Sequence, residues 1–303
     1  MSEGICDNLL LATYLSAKST VYFAPAMDLD MYHHETTAGN INTLEKRGNE
    51  FIPPSFGELA SGLEGEGRMA EPEEILTFIE NHLADSLPLR GKSVLITAGP
   101  TYEAIDPVRF VGNHSSGKMG FALAEEAAAL GATVTLISGP SHEKLEKNGI
   151  HRINVISAEQ MYQSTHQYIQ DMDVAIFSAA VSDFTPKVVS SQKIKKKSDH
   201  MVVELVPTKD ILASVGALKN EQYLVGFALE TENELENAKL KITKKNLDLI
   251  VLNSLKDKGA GFGLDTNKIT LIDKKGKVQE FELKSKKEVA TDIFAEIIKS
   301  VHA

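Results

Sequence analysis

Cysteine is nearly absent from these 303 residues; Cys6 is the single one. One thiol makes neither an internal disulfide nor a multi-thiolate metal site, which fits a reducing cytosol. Cys6 itself reads as a small, semi-buried apolar residue. Long apolar runs are also missing. No stretch approaches the roughly 18 consecutive apolar residues of a membrane span, and Met1-Ser2-Glu3-Gly4 has neither the basic nor the apolar region of a secretory signal. A soluble, cytoplasmic protein without a membrane partner is therefore expected. There is no basic excess either: 32 Lys+Arg face 42 Asp+Glu, a formal net charge of −10, so a nucleic-acid partner is not expected. No repeat of fixed period is visible. What is present suits a folded α/β protein, since the 42% hydrophobic content with 21 Gly and 10 Pro is enough to build a core.

The chain length allows two unequal units. In the first, Thr20 to Pro25 reads as a strand running into a loop, a helix is expected from about Thr36 to Arg47, and another from Glu73 to Leu83. Pro72 with Glu73 and Glu74 marks the start of the latter, because carboxylates suit the positive end of the helix dipole. Residues 84–91 break the pattern and read as a linker. From Lys92 onward, short β-branched runs at Val94–Ile96, Val134–Ile137, Val174–Phe177, Leu224–Phe227 and Leu249–Leu252 look like buried parallel strands. Helical spacing fills the intervals at Lys118–Leu130, Ala158–Asp171, Asp210–Leu218 and Asn233–Lys245. The pattern predicts a doubly wound, mostly parallel Rossmann-like sheet, with a β-hairpin excursion over Lys268–Leu283 and a closing helix from Lys286 to Val301.

Thr97-Ala98-Gly99-Pro100-Thr101 follows the first strand of that sheet, and Gly112 to Gly120 opens a helix. Gly and Ser at a helix start let backbone N–H groups approach an anion, so a phosphate site is reasonable, with a plain polar helix cap as the bland alternative. The spacing Gly112-x4-Gly117-Lys118 approaches a P-loop, but Met119 stands where that motif needs a hydroxyl for Mg²⁺. A dinucleotide fingerprint also fails, since Gly99 is followed by Pro100.

The words Thr97-Ala-Gly-Pro-Thr-Tyr-Glu-Ala-Ile-Asp-Pro-Val-Arg-Phe110 and Asn113-His-Ser-Ser-Gly-Lys-Met-Gly120 closely resemble the ligase half of the bifunctional phosphopantothenoylcysteine decarboxylase/phosphopantothenate–cysteine ligase family. Ser178-Ala-Ala-Val-Ser-Asp-Phe184, Lys193-Ile-Lys-Lys196, Val225-Gly-Phe-Ala-Leu-Glu-Thr231 and Lys245-Asn-Leu-Asp-Leu-Ile250 extend the likeness across 90–303. The resemblance implies a ligase that joins 4′-phosphopantothenate to cysteine through an acyl-cytidylate, using CTP and Mg²⁺, and that forms a homodimer through this domain. It implies catalytic roles for Asn113 and Lys193, to which Arg109 is added as the candidate for binding an anionic part of phosphopantothenate. Its implied nucleotide contacts are Ser178, Ala179, Ala180, Asp183, Lys193, Lys209, Asp210, Ile211, Leu212, Phe227, Lys241 and Lys245. The physical roles fit: an amide both donates and accepts, guanidinium pairs with carboxylate or phosphate, and ammonium is a compact charge for phosphate. Each has a plainer reading. Lys193 belongs to a solvated run with Lys195, Lys196 and Lys197, Lys241 and Lys245 share one face of a helix, and Arg109 suits a structural ion pair. Lys209 departs from the proline usual at its position.

Residues 1–84 resemble the back half of the family's flavin-dependent decarboxylase, through Asp7-Asn8-Leu9-Leu10, Pro25-Ala-Met-Asp-Leu-Asp-Met31 and Gly62-Leu-Glu-Gly-Glu-Gly-Arg-Met69. Asp28 replaces the family's usual Asn. Ser61 occupies the place of its proton-donating cysteine, and a hydroxyl is a far poorer acid than a thiol. The family's catalytic histidine and most flavin contacts have no counterpart here, His33 and His34 being read as surface residues. The expectation is thus a ligase domain at 90–303 behind a partial decarboxylase domain at 1–84 that binds little or no FMN. Two alternatives stand beside it: FMN-dependent decarboxylation as in the full bifunctional protein, and a nucleotide-binding sensor without turnover.

Overall fold

Apolar runs of four to six residues become the buried inner strands of one eight-stranded sheet. The computed structural model describes residues 1–196, 200–230, 233–254, 261 and 263–301; Lys197 and Thr231 lie outside them. The chain divides into two units, Met1–Ser86 and Leu87–Ala303.

The first unit carries helices α1 (Leu9–Ser16), α2 (Leu29–Tyr32), α3 (Glu35–Lys46) and α4 (Pro72–Asp85), with strands β1 (Tyr22–Phe23), β2 (Glu50–Phe51), β3 (Ser55–Glu58) and β4 (Glu64–Arg68). β1 and β2 form a two-stranded parallel pair, and β3 and β4 an antiparallel hairpin. A capping box of Glu71 and Glu74 starts α4, one turn position earlier than the proline signal alone suggests. At Gly67, φ is 135° and a Cβ would stand 2.3 Å from the Met27 carbonyl oxygen, so this position of β4 admits only glycine. The unit buries few apolar side chains, and α1 buries none, leaving Leu9 and Leu10 largely in solvent. Cys6, expected to be semi-buried, is exposed.

The second unit contains β5 (Ser93–Ala98), β6 (Tyr102–Ala104), β7 (Phe110–Gly112), α5 (Lys118–Ala129), β8 (Thr133–Ser138), β9 (Ile150–Asn154), α6 (Ala158–Tyr168), β10 (Val174–Phe177), β11 (Phe184–Pro186) and β12 (Leu205–Pro207). It continues through α7 (Ile211–Leu218), β13 (Tyr223–Glu230), α8 (Glu234–Lys244), β14 (Leu249–Ser254), β15 (Thr266–Asn267), β16 (Ile269–Asp273), β17 (Val278–Glu280), β18 (Lys284–Ser285) and α9 (Lys286–Val301). The large sheet has the order β17-β16-β14-β13-β10-β5-β8-β9. From β14 to β9 every neighbouring pair is parallel, while β16 and β17 are antiparallel additions. The unit is therefore α/β with a mostly parallel central sheet.

Side-chain alternation divides the core. Val94, Ile96, Val134, Leu136, Val174, Ile176, Val225 and Val251 face the helices α5 and α9. Their strand neighbours Leu95, Ile137, Ala175, Leu224, Ile250 and Leu252 face α6, α7 and α8. Because successive strand residues point to opposite faces, a continuous apolar run serves both layers at once.

At the amino-terminal edge of the sheet, the Asp248 carboxylate is almost fully buried and accepts from Lys219 Nζ at 2.5 Å, Lys274 Nζ at 2.7 Å and the Leu224 N–H at 2.9 Å. Burial pushes this carboxyl up, but those three donors outweigh burial and hold it below its ordinary value of 3.8. A carboxyl lowered in the folded state stabilises the fold at neutral pH and loses that contribution as pH falls below about 4. Asp248→Ala, which strands two ammonium groups, should cost about 3 kcal/mol. A urea midpoint equal to wild type at pH 7 would show that the network contributes nothing.

Candidate functional site

The parallel strands end on one side of the sheet, and the chain leaves β5 towards β8 but leaves β10 towards β13. Between them, where the winding direction reverses, open α/β sheets form a crevice. A cavity of about 140 Å³ lies there, lined by Ser115 to Gly120, Ser178 to Ala180, Phe227 to Leu229, Asn253, Gly261, Gly263, Asn267 and Lys286. That volume is below the roughly 300 Å³ at which drug-sized ligands are enclosed, and so suits one group of a ligand.

Close packing shapes the cavity floor. Gly117 has φ 87° and stands at the N-cap of α5, where the Lys118 N–H donates to Ser116 Oγ at 3.5 Å. Gly120 presses on the end of β5, where a Cβ would stand 2.4 Å from Ala98 Cβ and 2.8 Å from Ser178 Oγ. Ser178 Oγ donates to the Thr97 carbonyl at 2.7 Å, and the Ala180 N–H donates to the Gly99 carbonyl at 2.9 Å. Pro100 and Ala180 then form an isolated parallel bridge that extends the β5–β10 pairing past the sheet.

Asn113, beyond β7, donates its amide to the Ala180 carbonyl at 3.0 Å and the Val181 carbonyl at 3.2 Å. It thereby ties the β6–β7 hairpin to the segment after β10. Arg109 is engaged elsewhere. Its Nε lies 3.0 Å from Asp106 Oδ2, and its Nη2 donates to Asp106 and to the Ile194 carbonyl at 2.8 Å. The Ile194 N–H returns to Asp106 at 3.1 Å. Arg109 and the backbone N–H groups of Ile194, Val108 and Arg109 hold the buried Asp106 carboxyl far below the usual range, against the effect of burial. This pair fixes the backbone beside Lys193, whose side chain is exposed.

The remaining expected nucleotide contacts gather at a different place, around the start of α7. Asp210 caps that helix through the Ala213 N–H at 2.9 Å and pairs with Lys245 at 3.0 Å. Burial raises the Asp210 carboxyl, while Ala213 and Lys245 keep it below its ordinary value. Lys209 pairs with Glu159 at 2.8 Å and lies over the Tyr162 ring. Ile211 is buried, Leu212 is half-buried, Asp183 is exposed and Lys241 is half-buried. The structure thus brings Ser178, Ala179, Ala180 and Phe227 together at the cavity. It does not bring Asp183, Lys193, Lys209 to Leu212, Lys241 or Lys245 to its walls. Lys286, Asn253 and Asn267 were missed by sequence reasoning, since a basic residue opening a charged helix looks like surface. Asp106 was findable, because Asp-Pro marks a turn closed by the aspartate side chain.

In the first unit, Ser61 is exposed at the β3–β4 turn, where its Oγ accepts from the Leu63 N–H at 3.4 Å. His33 and His34 are exposed, the latter capping α3 through Nδ1.

Residues 89–301 match the family model of the DNA/pantothenate metabolism flavoprotein C-terminal domain, and residues 1–84 match the flavoprotein model. The chain belongs to the DNA/pantothenate metabolism flavoprotein family. A cysteine/cysteine sulfinic acid decarboxylase from an unknown prokaryotic organism is 53% identical, over 100% of this chain and 86% of that protein. The coenzyme A biosynthesis bifunctional protein CoaBC of Bacillus subtilis (strain 168) is 48% identical over 98% of this chain and 74% of its own length. The crystal structure of the C-terminal domain of a CoaBC protein superposes with a TM-score of 0.62 at 42% identity, covering 72% of this chain and 99% of that domain.

These findings overturn the expectation of a CTP-dependent ligase. Both matching family descriptions are flavoprotein descriptions, and the relative at 53% identity is named a decarboxylase. The recognition of a ligase half lapses, and with it 4′-phosphopantothenate and cysteine as ligase substrates, CTP and Mg²⁺. The side-chain geometry is in line with the correction, because Lys209 and Lys245 are neutralised by Glu159 and Asp210 instead of facing the cavity. Among the described residues no group of three or more His, Cys, Asp or Glu side chains is arranged to hold a metal ion. No described helix is long and apolar enough to cross a membrane. The expectation of little or no FMN is corrected too, since the flavoprotein model matches residues 1–84.

The first unit meets a flavin's needs only in part. Exposed Met31, Leu63 and Met69 supply apolar surface for a ring. Its described concavities offer a phosphate little: one is lined by Glu45 and no Lys or Arg, and the other has only Arg68, already paired with Glu71. The described residues of this unit do not complete an FMN site.

Two outcomes follow from the geometry. Gly120→Ala should destabilise the fold by about 2 kcal/mol through overpacking at β5, read as a lower thermal midpoint. Asp106→Asn should release the backbone at Ile194 and raise tryptic cleavage after Lys193 and Lys195 by about tenfold at unchanged cleavage elsewhere; an unchanged digestion pattern would refute the anchoring.

Proposed function

We propose that this chain serves coenzyme A biosynthesis as a flavoprotein decarboxylase, acting on phosphopantothenoylcysteine and releasing the cysteinyl carboxyl as CO₂. The observation that carries this reading is 53% identity to a decarboxylase of cysteine-type substrates over the whole chain, with the flavoprotein match lying over residues 1–84. Loss of CO₂ leaves an electron pair on carbon, and stabilising that pair is the chemical demand of the reaction. Residues 1–84 are the flavoprotein domain in this reading, and residues 90–303 a doubly wound, Rossmann-like domain with a ligand crevice of its own.

Within that second domain, Ser178, Ala179, Ala180 and Phe227 are assigned to the ligand-facing wall, and Asn113 holds it in place. Arg109 acts through its hold on the chain beside Lys193, while Asp183, Lys209 to Leu212, Lys241 and Lys245 are assigned to the separate surface around the start of α7. Val108, Phe110, Phe184 and Val188 are exposed apolar side chains on or beside the β6–β7 and β11–β12 pairs, which supports a homodimer through that face. A cytoplasmic location follows from the biosynthetic role.

Ser61 stands at the proton-donor position. A thiol is several units more acidic than a hydroxyl, so Ser61→Cys should raise CO₂ release from phosphopantothenoylcysteine about tenfold in the presence of FMN. The test measures CO₂ release together with flavin fluorescence on titration. Absence of both in wild type and in Ser61→Cys would overturn the reading.

A further inference from the structure

Charge is divided unevenly between the two units. Met1–Ser86 holds 4 Lys+Arg against 15 Asp+Glu, a net −11, whereas Leu87–Ala303 holds 28 against 27, a net +1. The excess is dense around α4. Glu64 to Asp85 contains seven carboxylates and a single Lys or Arg, namely Arg68, which pairs with Glu71 at 2.6 Å.

The same helix carries an apolar row that the unit does not cover. None of its 14 residues is buried, and Leu76 and Leu83 are 57% and 55% exposed. Pro72, Ile75, Leu76 and Ile79 line a concavity of about 770 Å³ together with Met69 and Ala70. At 3.6 residues per turn Leu83 continues this row, and Glu73 and Glu80, both exposed, stand along one border of it. An apolar floor with a carboxylate border is the surface on which an amphipathic helix lays its apolar face, its basic side chains meeting the border.

Charge and length select the occupant. A second copy joined through this face about a two-fold axis would set one unit of net −11 against another, and an anionic membrane surface would be repelled in the same way. The second unit, at net +1, offers no basic excess to a neighbouring copy. The row from Pro72 to Leu83 runs about 16 Å along α4, the rise of about three turns of a partner helix. We infer that the groove along α4 docks a basic amphipathic helix of another protein, its apolar residues seated on Ile75, Leu76, Ile79 and Leu83 and its Lys or Arg residues set against Glu73 and Glu80. The assignment is independent of the decarboxylase reading.

The test is calorimetric titration of the full chain with a synthetic peptide of Leu and Lys, about 14 residues long, whose leucines fall on one helical face. Leu76→Gln and Leu83→Gln should each weaken binding about tenfold, since each removes one apolar contact. Glu73→Gln combined with Glu80→Gln should weaken it about threefold and flatten its dependence on salt. All four side chains are exposed, so the variants keep the fold. A peptide of the same composition, scrambled so that it has no apolar face, should bind at least about tenfold more weakly; equal binding would reduce the attraction to net charge and overturn the inference. So would the absence of binding by the helical peptide, or wild-type affinity when Leu76→Gln and Leu83→Gln are combined. A dimer of the unliganded chain, or adsorption to phosphatidylserine vesicles, that Leu76→Gln abolishes would give the groove a different occupant and refute the basic helix.

Discussion

Parallel pairing of β5 with β10 is the constraint from which the site follows. Val94 to Thr97 lie in register with Val174 to Phe177, and the Pro100–Ala180 bridge carries the pairing beyond the sheet edge. Chain winding diverges on either side of that pair, so no crossover helix covers the gap, and the gap becomes the cavity. Gly120 and Ser178 can approach only because the helix lacks a side chain at the contact. If the register slipped by one residue, the layers under α5 and under α6 to α8 would exchange faces, and core and cavity would be lost together.

Much of the second unit was legible because burial on both sides leaves a simple trace. Continuous β-branched runs such as Val94 to Ile96 and Val134 to Ile137 admit few readings other than strands. The trace weakens at the periphery. β9, Ile150-His-Arg-Ile-Asn154, has two apolar residues in five because it is an edge strand, and it went unrecognised. The antiparallel pairs β6–β7 and β11–β12 are three residues per strand, too short to establish a period. In the first unit α1 was missed, since its leucines face solvent and leave no buried stripe to read.

The candidate site was legible where backbone proximity matters and illegible where charge does. Small residues at the ends of strands, Ser178 to Ala180, marked a place where a cavity opens. Lysines were harder, because sequence shows their spacing and not their partners. Lys241 lies within α8, whereas Lys245 stands just past its end and turns to Asp210. Lys286 sits in a run of three basic residues within four positions, ordinary in appearance, and only the fold shows that it points inward. The functional misreading has the same root: the long matching words of the second unit located the family, while the nucleotide-consuming ligation drawn from them is contradicted by the two flavoprotein family matches and the decarboxylase relative.

The two outermost strands of the large sheet, β9 and β17, leave rows of backbone donors and acceptors open to any chain that offers a complementary strand. β9 is studded with His151, Arg152 and Asn154, and β17 is three residues long and ends in Glu280. Both devices discourage edge-to-edge accretion, by solvation in the first case and by brevity in the second. The central sheet can thus stay intensely apolar within while remaining a poor template for fibre growth.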